Sequence, residues 1–97
     1  VHRLTVSYFE PTDAASFEAA YRERHVPLVK AVPGLQRFTL TKPRGDDAAA
    51  LVAELWFADA DAFGAAMSSP EMGAAAEDAE TYEVARRSMQ SGDVEEV

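Results

Sequence analysis

The chain has two histidines, and one of them stands where proton chemistry could be done. In "FEAAYRERHVPLV" (17–29), Phe17, Tyr21, His25 and Leu28 recur at helical spacing. Val32 follows one turn on, while Glu18, Arg22 and Arg24 take other faces. An imidazole on an apolar stripe titrates near neutral pH and can accept or deliver a proton. Tyr21, one turn earlier on the same stripe, can add a phenolic donor. Pro27 removes a backbone N–H, crowds the carbonyl of Glu23 and disfavours helical dihedrals at Val26. The sequence therefore predicts a helix that kinks or ends near His25, with the imidazole turned toward a sheet from close to a helix C-terminus. That terminus favours the imidazolium, and burial disfavours it. A plainer reading competes: His25 bonds backbone carbonyls that Pro27 leaves open.

Other chemistries find no support. Without cysteine there is no thiolate nucleophile, disulfide or Cys-type zinc site. The acidic residues (Asp46 and Asp47, Asp59 and Asp61, Glu77, Asp78 and Glu80, Glu95 and Glu96) fall in loops, caps and the tail, and read as solvated surface. None pairs for acid–base work at a glycosidic bond. His2 and His25 have no spaced carboxylate partner, so no metal site is expected. Ser68 and Ser69 read as a helix cap. There is no glycine-rich phosphate loop, and no cofactor is expected. A formal net charge of −8 on 97 residues argues against nucleic acid and anionic membrane as partners. No apolar run is long enough to cross a bilayer, and "VHRLTVSYFE" lacks the hydrophobic core of a signal peptide. The expectation is a bacterial-type cytoplasmic protein.

The elements that must position His25 follow from periodicity. "RLTVSYF" (3–9) alternates, with Leu4, Val6 and Tyr8 opposite Thr5, Ser7 and Phe9. Thr12 or Asp13 can cap the first helix, which "VPG" (32–34) ends. "LQRFTLTK" (35–42) and "AALVAELWF" (49–57) are the next strands. Asp59 or Asp61 caps a second helix through Phe63 and Met67. Ser69 with Pro70 starts a third, from Met72 to about Ala79. A closing strand at about 85–94 completes the set. The order β-α-β-β-α-β is a ferredoxin-like α+β sandwich, a four-stranded antiparallel sheet with helices on one face, in one domain over 1–97. Both sheet faces carry large apolar groups, while the helices cover one. An open face bearing Leu4, Val6, Val52 and Trp56 predicts a homodimer through the sheets, a dimeric α/β barrel.

The segment "FEAAYRERHVPLVKAVPGLQRFTL", with its His-x-Pro-Leu and Pro-Gly-Leu, resembles the EthD family of dimeric α/β-barrel proteins. "AELWF", "SPEMGAAAEDAETY" and the closing "GDVEEV" extend the resemblance from about Leu4 to Val97. It implies the ferredoxin-like fold, sheet-to-sheet homodimers and a small apolar pocket between sheet and helices. The wider superfamily includes cofactor-independent oxygenases, cyclases, isomerases and dehydratases acting on aromatic or polyketide-like molecules.

Combined with the residues, this gives His25 as general acid/base and Tyr21 as assisting donor. Ser7, Phe9, Phe38, Leu40, Leu55, Phe57, Phe63, Met67 and Met72 are the candidate walls for a hydrophobic small molecule. The alternative is a non-catalytic homodimer that binds or carries such a molecule for a partner enzyme. Some catalytic relatives use a second histidine on a strand or the second helix, and this chain has none there.

Overall fold

The computed structural model describes residues 1–97. Its elements are β1 (His2–Pro11), α1 (Ala14–Ala20), a π-helical turn (Tyr21–His25), α2 (Val26–Lys30), β2 (Arg37–Thr41), β3 (Leu51–Phe57), α3 (Ala60–Met67), α4 (Pro70–Ala79) and β4 (Val84–Asp93). The sheet order is β2-β3-β1-β4, with all three pairings antiparallel. This is the ferredoxin-like α+β fold.

Register decides which residues face the helices. Directly opposed residues of an antiparallel pair share a face. Leu4 opposes Leu55, Val6 opposes Ala53 and Tyr8 opposes Leu51. Those six therefore lie together under the helices, and all but Val6 are fully buried. The expectation of Leu4 and Val6 on the open face is corrected by this phase. The open face carries Thr5, Ser7 and Phe9 opposite Glu54 and Val52 of β3 and Gln90, Ser88 and Arg86 of β4. Trp56 lies on it too, between Arg3 and Arg37. Arg37 stacks over the Trp56 ring at 4.7 Å, and Arg86 stacks over Phe9 at 3.7 Å. The open face is thus amphipathic, with guanidinium groups lying over its aromatic rings.

The first helix does not end at Pro27. Val26 has φ −55° and ψ −48°, fully helical, and α2 runs on to Lys30. The chain absorbs the proline by widening. The Val26 N–H bonds the Tyr21 carbonyl, five residues back, and the stretch before Pro27 is a π turn. This changes the pattern of burial. Four-residue steps on an α-helix drift about 40° each, so three steps would swing a residue about 120° off the core. The π turn cancels that drift. Phe17, Tyr21, His25 and Val29 are all buried, whereas Leu28, favoured by plain α spacing, is only half-buried. The helix stops after Ala31, and Gly34 at φ +79° supplies the left-handed turn into β2.

The remaining helices start where their caps require. Asp13 accepts from the Ser16 N–H, Asp59 from the Ala62 N–H and Ser69 from the Met72 N–H. Tyr8, Tyr21, Phe57 and Leu51 are the largest sealed side chains. Burying a side chain of this class contributes about 1.5–3 kcal/mol. No helix is long and apolar enough to cross a membrane.

Candidate functional site

The π turn sets the site by holding Tyr21 and His25 against α4 and the sheet. Their rings lie 4.7 Å apart, and Tyr21 meets Tyr8 of β1 edge-on at 5.5 Å. α4 presents Ala75, Ala76 and Ala79 toward the same space. Short side chains there, over Ala53 of β3, leave a cavity of about 120 Å³. Its floor includes Leu4, Val6 and Leu55, and its helical wall Tyr21, His25, Val29 and Met72. Met67, Met89 and Arg87 stand at the rim. Met67 and Met89 are exposed. All three methionines of the chain surround this one space, which suits a pliable apolar opening. An apolar cavity of about 150 Å³ accepts a benzene ring, so the scale here is one aromatic ring.

His25 is 5% exposed and does not stand alone. Its Nδ1 lies 3.0 Å from Oδ2 of Asp78 on α4. The expectation that His25 lacks a carboxylate partner, and that Asp78 is solvated surface, is corrected here. The Asp78 side chain is only 14% exposed. The Tyr82 hydroxyl donates to the same Oδ2 at 2.6 Å and stands 3.4 Å from the Ala20 carbonyl oxygen, just before the π turn. Arg24 Nε lies 3.5 Å from Asp78 Oδ1, and its guanidinium sits 5.2 Å from the Tyr82 ring centre. Three donors thus converge on one carboxylate.

A carboxylate accepts only, so His25 Nδ1 carries the proton of this bond and Nε2 keeps its lone pair. Nε2 has no protein partner, and it is not sealed; the one sealed side-chain polar atom without a partner is the Tyr21 hydroxyl. Burial pushes the His25 pKa below its ordinary 6.5, and Asp78 opposes that without reversing it. The imidazole is therefore neutral at pH 7, a base with an oriented lone pair. Its place in mid-helix removes the helix-terminus effect expected from the sequence. Burial also raises the Tyr21 phenol and pushes Tyr8 up to about 12, so both stay protonated donors. No third His, Cys, Asp or Glu joins His25 and Asp78.

Residues 10–83 match the EthD domain. The chain belongs to the EthD family. It is 35% identical over 86 residues to an uncharacterized 11.0 kDa protein of the thcB-thcC intergenic region of Rhodococcus erythropolis, an alignment spanning 84% of each chain. Its fold superimposes on that of an EthD family protein from Bacillus halodurans with a TM-score of 0.86, at 24% identity over 97% of this chain and 98% of that one. The cofactor-independent oxygenase SnoaB from Streptomyces nogalater shares the fold at a TM-score of 0.70 and 21% identity, over 99% and 94% of the two chains.

Within this EthD fold the sequence-derived site residues divide. Tyr21, His25, Leu55, Met67 and Met72 surround the cavity. Phe57 and Phe63 pack elsewhere in the core, with Phe63 against His2 at 4.6 Å. Phe38 and Leu40 face the helices from β2, where they pack on the core away from the cavity. Ser7 and Phe9 lie on the opposite side of the sheet, because β1 turns Leu4, Val6 and Tyr8 inward. Sequence reasoning missed Asp78, Tyr82, Tyr8 and Arg87. The usable signal was the α4 stripe of Met72, Ala75 and Ala79, which places neighbouring Asp78 on the inner side with Tyr82 four residues on.

Proposed function

We propose that this protein is a small homodimeric enzyme that moves a proton on a hydrophobic, single-ring aromatic or polyketide-like molecule without a cofactor. His25 Nε2 is the general acid/base. The observation that carries this reading is the buried His25–Asp78 pair beside a ring-sized apolar cavity. Asp78 holds the Nδ1–H tautomer and stabilises the imidazolium that forms when Nε2 takes a proton. Tyr21, kept protonated by burial, is the assisting donor. The amphipathic open sheet face supports a homodimer that packs sheet on sheet.

Native mass spectrometry of the untagged protein is the first test. A dimer carrying an extra small mass supports the reading, and that mass names the compound to assay. Positioned proton transfer contributes about 10²–10⁴-fold, so His25→Ala should lose turnover on that scale while remaining a dimer. An unchanged rate removes His25 from the chemistry. Binding without turnover in the unaltered protein selects the carrier alternative.

A further inference from the structure

The cavity has a charge that the proton chemistry does not use. Of the fifteen residues around it, thirteen are hydrophobic, and the other two are His25 and Arg87. Arg87 lies on β4 directly opposite Tyr8; its positive charge opposes protonation of His25 and favours loss of the Tyr8 proton, against the burial that raises Tyr8 overall. Its guanidinium holds Glu80, at the end of α4, at 3.2 Å. That pair is loose on the Glu80 side, whose side chain is 75% exposed against 30% for Arg87. An exposed ion pair of this kind has little energetic weight.

Resting on the proton-transfer reading, we infer that the pocket selects a ring bearing a carboxylate, with Arg87 at the rim as the anion-binding residue. The ring enters the apolar space, and its carboxylate replaces that of Glu80 on the guanidinium. A planar guanidinium matches a carboxylate with two parallel N–H donors. The rim is also where an anion loses the least hydration, since the ring alone goes inside. The chain as a whole carries a formal charge of −8, so diffuse attraction cannot produce a preference for anions. Any such preference must come from a local cation. Arg86, the next residue, provides the contrast: it faces the other side of the sheet, over Phe9.

The test is calorimetric titration of the protein with benzoate and with its neutral isostere benzamide, at low and high salt. The expected result is benzoate binding about tenfold tighter than benzamide, a preference that shrinks in salt. Arg87→Met should abolish the preference by weakening benzoate far more than benzamide, while Arg86→Met should leave the preference intact. Glu80→Gln, which frees the guanidinium, should tighten benzoate a few-fold. Equal binding of the two probes by the unaltered protein overturns the inference and leaves the pocket reading standing. Loss of the preference in Arg86→Met, or weaker benzoate binding in Glu80→Gln, also overturns it. Binding of neither probe overturns both the inference and the ring-sized pocket it rests on.

Discussion

His25 and Asp78 are 53 residues apart in the chain, and their side chains meet at 3.0 Å in a site almost closed to water. The carboxylate serves three donors, so its loss is felt beyond the imidazole. Asp78→Asn keeps the shape and removes the charge. Hydrogen bonds to charged groups contribute about 1.5–3 kcal/mol, and a loss of stability in that range is expected in denaturant titrations. The attraction that opposes burial at His25 also disappears, so the His25 pKa should fall further, read from its ring proton shifts against pH. A His25 pKa that stays put or rises would show that the pair does not exist in solution.

Acid should weaken the fold through the same histidine. Its folded pKa lies below the ordinary 6.5, chiefly through burial. As pH falls through 6.5 the unfolded chain takes up the proton first, and the folded chain does so only lower down. The contribution of this group is therefore complete above pH 6.5 and is lost as pH drops toward the folded value. In His25→Gln that part of the pH dependence should vanish. Turnover that uses neutral His25 should be flat at neutral pH and fall on the acid side, with its midpoint below 6.5.

The fold was legible because its signals are local and repeated. Alternation marked β1, a nearly continuous apolar run marked β3, Ser69-Pro70 marked the start of α4, and the element order gave the topology. The errors came from phase. β1 alternates cleanly, yet its alternation does not say which side meets the helices. That needed the pairing of Leu4 with Leu55, a long-range fact, and it moved Ser7 and Phe9 off the site. Asp78 was hidden differently: it sits among Glu77 and Glu80, and nothing in residue type distinguishes the one carboxylate that turns inward to bond His25.

Tyr21 offers a test of an unmet bond. Its hydroxyl is sealed and makes no hydrogen bond of good geometry, although the Tyr8 phenol lies beside it. An unsatisfied buried polar group costs about 1–3 kcal/mol, so Tyr21→Phe should raise the Tm of the ligand-free protein. If the hydroxyl assists the reaction, the same variant should lower kcat. A fall in Tm instead would mean that the hydroxyl is bonded, with the neighbouring Tyr8 phenol as the partner to examine.

The part that Pro27 plays in aiming His25 can be tested by removing the proline. An alanine at 27 restores an N–H whose α-helical acceptor is the Glu23 carbonyl. With that bond available, the π turn loses one reason to exist, and an α-helical path becomes open from Ala14 to Lys30. On that path the four-residue spacing of Phe17, Tyr21, His25 and Val29 drifts by about 120° in total. The stripe can then no longer keep all four residues against the core. The expected outcome for Pro27→Ala is a lengthened or broken His25–Asp78 contact, a changed His25 pKa and a sharp loss of any turnover, with helix content by circular dichroism preserved. A His25 titration identical to that of the unaltered protein would show that the four buried side chains, not the proline, hold the π turn in place.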